Sequence, residues 1–260
     1  MSNLKKEEFK QFNVLVIGDT CIDEFIYGSA FRLAPEAPVP VFNPVYTETN
    51  NGMAGNVVAN LQALGINTHF VYNIENIVKT RYVDDRSGQI LLRVDKNDKV
   101  ERIPKLYLQS IKNNLYNNKK IDAIIISDYD KGFLDEEDIR FICENNTNVF
   151  IDTKKILDKW CFNASFIKIN HVEYERTEYT LNHLNIKDKL VVTLSNKGCQ
   201  YKGKLFPVKK VKVKDVSGAG DTFLSGLVAE YILTKDIEKA ILFAQQCATI
   251  VVQKQGVATI

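Results

Sequence analysis

The turn Asp215–Phe223, with the sequence Asp-Val-Ser-Gly-Ala-Gly-Asp-Thr-Phe, combines a carboxylate with the kind of backbone that binds anions. Gly218, Ala219 and Gly220 are small enough for a sharp turn into a predicted helix. Their amide N–H groups would then point into open space at a helix N-terminus, where the helix dipole favours negative charge. Asp221 falls beside those amides and could accept a hydroxyl proton. The pattern predicts a general base beside an anion hole; the alternative is a plain strand-to-helix turn capped by a carboxylate.

Two further loops carry polar groups that suit a polyol. In Asn51–Asn56, Gly52 permits close backbone approach, and the amide of Asn56 offers both a donor and an acceptor. The loop after the first predicted strand holds Asp19 and Asp23, two carboxylates that could bind sugar hydroxyls. The alternatives are a glycine loop in which Asn56 caps a helix, and a solvated acidic loop.

Short β-branched runs recur along the chain, and helix-like stretches separate several of them. The predicted buried strands are Asn13–Ile17, Thr68–Tyr72, Ala123–Ser127, Val149–Asp152, Phe166–Ile169 and Leu190–Leu194. The helix-like stretches include Val57–Leu64, Glu136–Glu144 and Thr222–Leu233. Strands that alternate with helices predict an α/β fold with three α/β/α layers, in which ligands bind beyond the carboxyl ends of the strands.

A second kind of strand alternates apolar and polar residues or carries prolines. These segments are Glu24–Gly28, Val39–Glu48, Lys79–Asp84 and Gln89–Asp95. They predict a small, mainly antiparallel sheet that stands off the main domain as a lid. We therefore expect a single domain over residues 1–260, with lid strands from about 24–48 and 79–95. The Asn- and Lys-rich stretch Lys112–Lys120 is interpreted as the end of a surface helix.

Composition excludes several classes of function. The 260 residues are 45% hydrophobic and 25% charged, with a net charge of +2, which is typical of a soluble globular protein. Such balanced charge predicts no nucleic-acid or membrane partner. Five scattered cysteines without a C-x-x-C pair predict reduced thiols rather than a disulfide framework. With no signal peptide or membrane span in the sequence, we expect a cytoplasmic protein.

Five segments resemble motifs of known enzymes. Asp215–Val228 and Asn51–Gly65 resemble the C-terminal and N-terminal signatures of the ribokinase-like (PfkB) carbohydrate kinase family. Phe31–Val41 (FRLAPEAPVPV), Ser127–Gly132 (SDYDKG) and the hairpin Thr80–Asp95 are similar to the members that phosphorylate D-glycero-D-manno-heptose 7-phosphate. The likeness runs from about Asn13 to the C-terminus.

The resemblance implies an ATP-dependent kinase that uses Mg²⁺, with a monovalent-cation site that suits K⁺. It implies Asp221 as catalytic base and the amides of Gly218, Ala219 and Gly220 as the anion hole. The implied substrate-binding residues are Asp19, Asp23, Arg32, Gly52, Asn56, Arg93, Asp128 and Lys131. The implied nucleotide-binding residues are Lys154, Asn170, Glu173, Thr193, Ser195 and Gly198, with Asn170 and Glu173 near magnesium. Asp215 and Ser217 match the monovalent-cation site.

Arg32, Lys131 and Arg93 are the candidates for binding a terminal phosphate, because arginine and lysine suit a phosphate dianion. The alternative is that the two arginines form ordinary lid ion pairs and that Lys131 is solvated. Likewise, Asn170 and Glu173 could belong to an ordinary surface loop.

The expected reaction is phosphorylation of the anomeric hydroxyl of the heptose phosphate, a step in lipopolysaccharide or glycan biosynthesis. Two alternatives stay open: a kinase for another sugar or sugar phosphate, and a non-catalytic sugar- or nucleotide-binding relative. Three departures from the family weigh on the choice. Only Asn73–Val78 stands where members carry a strand–helix–strand passage, Asp152–Lys155 replaces Asp-Pro-Lys-Gly, and no nucleotidyltransferase domain follows.

The predicted lid has more apolar side chains than one small sheet can cover. They are Phe25, Tyr27, Val39, Val41 and Val45. Pairing two lids would bury these side chains and cover open strand edges, so we expect a homodimer through the lid.

Overall fold

A mixed eight-stranded sheet forms the centre of the protein in a computed structural model that describes residues 3–254 and 256–260. The described strands are, in chain order, β1 (Asn13–Gly18), β2 (Thr20–Leu33), β3 (Pro40–Met53), β4 (Asn67–Tyr72), β5 (Ile77–Asp84), β6 (Ile90–Lys96), β7 (Leu115–Tyr116), β8 (Lys119–Lys120), β9 (Ala123–Asp128), β10 (Val149–Thr153), β11 (Phe166–Asn170), β12 (Leu190–Thr193), β13 (Cys199–Tyr201) and β14 (Lys204–Phe206). The described α-helices are α1 (Asn3–Phe9), α2 (Ala54–Leu64), α3 (Lys105–Ser110), α4 (Glu136–Asn145), α5 (His171–Leu181), α6 (Ala219–Thr234) and α7 (Ile237–Val251).

The central sheet has the strand order β14-β13-β12-β11-β10-β9-β1-β4. From β4 to β12 all neighbouring strands are parallel, and β13 and β14 add an antiparallel hairpin at one edge. All six predicted sheet strands are present. They form because their β-branched runs can be buried on both faces of a parallel sheet.

Helices cover both faces of this sheet, so the fold has the three layers that were predicted. Alternate strand residues point to opposite faces: Val14 and Val16 pack with α2, α6 and α7, while Leu15 and Ile17 pack with α3, α4 and α5. Each face has its own apolar core. The five cysteines are buried and unpaired, in agreement with the expectation of reduced thiols.

A second sheet, with the order β3-β2-β5-β6, is the predicted lid. The sheet is mainly antiparallel, as predicted, and its one parallel pairing joins β2 to β5. The chain leaves β2 for β3, passes through α2 and β4 of the main domain, and only then enters β5. Such a crossover connection permits parallel pairing, whereas the hairpins β2–β3 and β5–β6 are antiparallel.

The interpretation of Lys112–Lys120 as the end of a helix is wrong. Helix α3 ends at Ser110, and the segment instead forms the two-residue strands β7 and β8. Its four asparagines, at positions 113, 114, 117 and 118, all have positive φ angles between 49° and 61°. Asparagine tolerates this left-handed backbone better than most residues, so the stretch turns instead of continuing a helix.

Helix α7 and the hairpin β13–β14 lie outside the predicted elements. Both had local signals that were passed over: Asp236 caps α7, and Lys202 and Gly203, with positive φ angles, form the turn of the hairpin. Among the described residues, no helix is both long and apolar enough to cross a membrane.

Candidate active site

Loops and helix ends meet beyond the carboxyl ends of β1, β9, β10 and β11, and there the structure brings three predicted segments together. Asp221 of α6 lies between Asn56 of α2 and Tyr129 of the loop after β9. The amide Nδ2 of Asn56 donates to Oδ2 of Asp221 at 2.9 Å, and the Tyr129 hydroxyl donates to Oδ1 at 2.7 Å. Residues up to 165 positions apart therefore form one hydrogen-bonded group.

Asp221 has the environment of a general base. The residue is only 5% exposed, and burial raises the pKa of its carboxyl group. The hydrogen bonds from Asn56 and Tyr129 oppose this rise, the charge of Asp152 adds to it, and Lys168 opposes it. A carboxylate with a raised pKa binds a proton more readily, which suits the deprotonation of a hydroxyl near neutral pH.

The orientation of the Asn56 amide is fixed by Asn60, one turn further along α2. The Nδ2 of Asn60 donates to Oδ1 of Asn56 at 3.0 Å, while its own Oδ1 accepts from the Thr222 hydroxyl at 3.2 Å. Asn56 therefore presents its donor, not its acceptor, to Asp221. Sequence reasoning missed Asn60, although a polar residue four positions after Asn56 on an apolar helix face was a signal for it.

The glycine turn needs its glycines for two different reasons. Gly218 has φ of 75°, and a Cβ there would lie 2.5 Å from Nδ2 of Asn56. A Cβ on Gly220 would lie 3.0 Å from Nζ of Lys168. At the first position a side chain would strain the backbone and displace Asn56; at the second it would crowd a buried ammonium.

The N-terminus of α6 carries no side-chain cap. Within the described part of the chain, the amides of Gly218 and Gly220 have no backbone acceptor. The amide of Ala219 differs from the prediction, because it donates to the carbonyl of Val216 at 3.2 Å within the turn. Two of the three predicted anion-hole amides are thus open to an anion, at the positive end of the helix dipole.

Buried lysine–acid pairs lie next to this turn. Lys168 of β11 and Asp152 of β10 form an ion pair of 2.6 Å in which both side chains are almost fully buried. Oδ1 of Asp152 is also buried and has no partner among the described residues. Sequence reasoning passed over Lys168, although a lysine in the middle of the apolar strand Phe-Ile-Lys-Ile-Asn was a visible signal.

Asn170 and Glu173 are not in an ordinary surface loop. Asn170 caps α5, its Oδ1 accepting from the Glu173 amide at 2.9 Å, and Oε2 of Glu173 accepts from the Asn170 amide at 2.8 Å. The other carboxylate oxygen of Glu173 pairs with Lys154. Burial lowers the pKa of Lys154, but Asp152 and Glu173 outweigh that effect, so the net pKa is raised and the ammonium stays charged.

The remaining predicted nucleotide residues lie one strand further out, after β12. The Thr193 hydroxyl donates to the carbonyl of Ile169 at 3.4 Å, which ties this edge to β11. Ser195 and Gly198 have φ angles of 53° and 99° in the turn before β13. Within the described residues, no hydrogen bond joins Thr193, Ser195 or Gly198 to Asp221. These three residues are therefore separate from the Asp221 group, and their role in nucleotide binding stays a prediction.

Asp19 and Asp128 point into the protein. Asp19 is fully buried, and its Oδ2 accepts from the Tyr129 amide at 2.7 Å. Burial, followed by the nearby charge of Asp128, raises the pKa of Asp19. Asp128 accepts from the Thr153 hydroxyl and from Nζ of Lys155, the latter at 3.1 Å. Both carboxylates hold the loop after β9 in place, and their role in substrate binding stays a prediction.

Asp23 and Gly52 face each other where the lid joins the domain. Oδ1 of Asp23 accepts from Arg81 at 2.6 Å, and both side chains are largely buried. A Cβ on Gly52 would lie 2.1 Å from Oδ2 of Asp23, so only glycine leaves room for this carboxylate. The pair stays a predicted sugar-binding element, and the structure adds Arg81 to it.

The three predicted phosphate ligands are spread over the lid and its surroundings. Arg93 donates twice to Asp95, both at 2.7 Å, and Lys131 pairs with Asp98 at 2.6 Å. Arg32 is exposed near the tip of the lid. The structure therefore shows the alternative, a lid ion pair, for Arg93. It also shows that Lys131 is paired rather than solvated.

Asp215 and Ser217 are joined to the C-terminal segment. The carboxylate of Asp215 accepts from the Ser217 amide at 2.8 Å and from the Gly256 amide at 3.1 Å. Asp215 therefore ties the turn before α6 to the C-terminal segment, and the monovalent-cation role of Asp215 and Ser217 stays a prediction. No group of three or more His, Cys, Asp or Glu side chains suited to a metal occurs in residues 3–254 and 256–260.

Comparison with known proteins decides the family. The model of the pfkB family carbohydrate kinases matches residues 119–260, more than half of the chain. The chain belongs to the pfkB family of carbohydrate kinases. The expected enzyme class is thereby confirmed.

Curated relatives and solved structures agree with this assignment. The bifunctional protein HldE of a Nitratiruptor species is 31% identical over 291 residues, which cover 95% of this chain and 62% of that protein. HldE of Helicobacter pylori (strain J99) is 30% identical, covering 94% and 64%. The chain thus spans less than two thirds of the length of these relatives. Because the alignment of 291 positions exceeds 260 residues, the relatives also carry segments that this chain lacks.

Solved structures show the ribokinase-like fold that the sequence predicted. The nucleoside kinase of Methanocaldococcus jannaschii, an archaeal member of the ribokinase family, has a TM-score of 0.65 at 19% identity, covering 95% of this chain and 94% of that one. The Arabidopsis thaliana ribokinase complexed with ribose and ATP has a TM-score of 0.66 at 15% identity, covering 94% and 93%.

Proposed function

We propose that the chain transfers the γ-phosphoryl group of ATP to the anomeric hydroxyl of D-glycero-D-manno-heptose 7-phosphate. The observation that carries the kinase mechanism is the buried Asp221, held by Asn56 and Tyr129 beside the uncapped N-terminus of α6. The heptose substrate is supported by the resemblance of Phe31–Val41 and Ser127–Gly132 to heptose phosphate kinases, and by the similarity to HldE proteins.

In this mechanism Asp221 takes the proton from the attacking sugar hydroxyl. A bond forms between that oxygen and the γ-phosphorus, the bond from phosphorus to the leaving ADP oxygen breaks, and the proton stays on Asp221. The amides of Gly218 and Gly220 face the transferring group, where donors fixed in advance stabilise developing negative charge. Phosphoryl transfer depends mostly on such positioning and electrostatics.

The lysines beside the turn provide further positive charge. Lys168 lies next to Gly220, and Lys154 stands beside the Tyr129 ring, with its ammonium 5.3 Å from the ring centroid. Magnesium, when bound with ATP, would neutralise phosphate charge. The free Oδ1 of Asp152, together with Glu173, fits the oxygen donors that this ion prefers, directly or through water.

A turnover assay over a panel of acceptors tests the proposal. With ATP, the panel contains the heptose 7-phosphate, unphosphorylated heptose, ribose and fructose 6-phosphate. We expect Asp221→Asn to lower turnover by roughly 10²–10⁴, the range for loss of a general base, with little change in nucleotide affinity. Asp188→Asn is the matched control, because that side chain is 79% exposed.

The possible results distinguish the proposed function from its alternatives. Near-normal turnover by Asp221→Asn would show that this residue only holds Asn56 and Tyr129 in place and is not the base. A preference for ribose or fructose 6-phosphate would keep the kinase mechanism and replace the substrate. Nucleotide binding without turnover of any sugar would favour the non-catalytic relative.

A further inference from the structure

Two rows of side chains cross the face of the lid that looks towards Asp221. Strand pairing aligns Asp23 of β2 with Lys79 of β5, and Lys79 with Asp95 of β6. The next row on the same face holds Phe25, Arg81 and Arg93. Residues two apart on a strand share a face, so these two rows form one charged surface over the sugar side of the site.

Each acid in these rows is already paired with an arginine. Asp23 accepts from Arg81 at 2.6 Å, and Asp95 accepts two hydrogen bonds from Arg93, both at 2.7 Å. Lys79 is left over. Its side chain makes no hydrogen bond and no ion pair with any residue in 3–254 or 256–260.

Lys79 is nevertheless buried, since only 9% of its surface is exposed. Its Nζ, unlike Oδ1 of Asp152, is not fully enclosed by protein, so the ammonium opens to solvent at this face and is available to a ligand. The group is also strictly a donor, and therefore its partner must be an acceptor and preferably an anion.

An anion bound to the Lys79 ammonium would lie on the side of the predicted site where the sugar is expected. Nζ of Lys79 lies 5.7 Å from the centroid of the Tyr129 ring, and the hydroxyl of this ring is bonded to Asp221. Lys154 approaches the same ring from the loop after β10, and its ammonium is paired with Glu173 of α5. Lys79 therefore contacts the Tyr129 ring from the lid, whereas Lys154 contacts the same ring from the side of α5.

We propose that Lys79 determines specificity by binding the phosphate monoester of a phosphorylated sugar substrate. The inference rests on the proposed function, and it replaces Arg93 and Lys131, which are paired with Asp95 and Asp98, as the principal phosphate ligand. A purely structural role, in which Lys79 only packs on the Tyr129 ring, predicts no dependence on the substrate phosphate.

The test compares Lys79→Met with Lys96→Met. Methionine keeps most of the aliphatic stem and removes the charge; Lys96 is an exposed lid residue paired with Val78, one position along β5 and so on the other face. In Lys79→Met we expect the KM for the heptose 7-phosphate to rise at least tenfold, equal to about 1.4 kcal/mol. The kcat/KM for unphosphorylated heptose and the KM for ATP should change less than about twofold, and Lys96→Met should match the unmutated enzyme.

A second measurement needs no variant. Reductive methylation of the unmutated enzyme, read by mass spectrometry, should label Lys79 more slowly in the presence of heptose 7-phosphate than of heptose. If Lys79→Met does not fold, this protection decides the matter.

Failure of this inference differs from failure of the proposed function. If the unmutated enzyme prefers the phosphorylated sugar and Lys79→Met keeps that preference, or if the label is not protected, Lys79 is not the phosphate ligand. If the unmutated enzyme uses both sugars equally well, the substrate assignment itself is wrong.

Discussion

The hydroxyl of Tyr129 should control the pH at which the base becomes active. It donates to Oδ1 of Asp221 at 2.7 Å and lowers the pKa of that carboxyl group. Tyr129→Phe removes this donor, so the pKa of Asp221 should rise further and the base should be protonated over a wider acid range. The acid limb of the kcat/KM profile, which reports the free enzyme, should move to higher pH.

The size of the effect follows from the bond that is lost. A hydrogen bond to a charged group contributes about 1.5–3 kcal/mol, and about 1.4 kcal/mol corresponds to a factor of ten. At a fixed pH on the acid limb, kcat/KM of Tyr129→Phe should therefore be about tenfold or more below that of the unmutated enzyme. On the plateau, where Asp221 is already deprotonated, the difference should be smaller.

The assay is a kcat/KM profile with the heptose 7-phosphate from acid to neutral pH, with thermal melting to confirm that each variant is folded. Tyr179→Phe is the matched control, because Tyr179 is 80% exposed and lies near the C-terminal end of α5. Superimposable profiles for the two variants and the unmutated enzyme would refute the role assigned to the Tyr129 hydroxyl.

Two predictions concern the turn and the assembly. Gly218→Ala should lower the melting temperature by at least about 3 °C, since left-handed backbone costs about 1–2 kcal/mol for alanine. It should also reduce turnover at least tenfold by displacing Asn56, whereas Gly203→Ala, with φ of 76° and open space around it, should lose stability alone; equal turnover of the two variants would contradict this. Light scattering should give a dimer of the 29.6 kDa chain that Val45→Glu dissociates and Val213→Glu does not, and a monomeric unmutated protein would rule out pairing through the lid.

The sequence allowed the layers and the principal loops to be predicted because their signals are local. A β-branched run such as Ala123–Ser127 carries enough apolar surface to be placed in a sheet without knowledge of its neighbours. The turn from Gly218 to Gly220 likewise shows its shape in its own residues. The parallel pairing of β2 with β5 was harder to find, since it depends on the path of the chain through α2 and β4.

Side-chain partners could not be predicted to the same extent, because most are set by tertiary contacts. Asp19 accepts from an amide 110 positions away, and nothing near Asp19 in the sequence shows that its carboxylate turns inwards. Arg93 and Asp95 are a different case. Residues two apart on a strand share a face, so their pairing was visible in the sequence, and Arg93 was still assigned to phosphate.

β2 and β3 join the lid directly to the segments around Asp19 and Met53, so the lid would rotate about these segments as a lever about its pivot. β2 starts at Thr20, next to Asp19, and β3 ends at Met53, whose φ of 55° marks a sharp bend into α2. Each strand has 14 residues, so the tip lies about 40 Å from this pivot at roughly 3.3 Å per residue. A rotation of about 10° at the pivot would carry the tip about 7 Å. A force applied at the tip, for example by a partner lid, would therefore exert a large torque on the segments that hold Asp23 and Gly52.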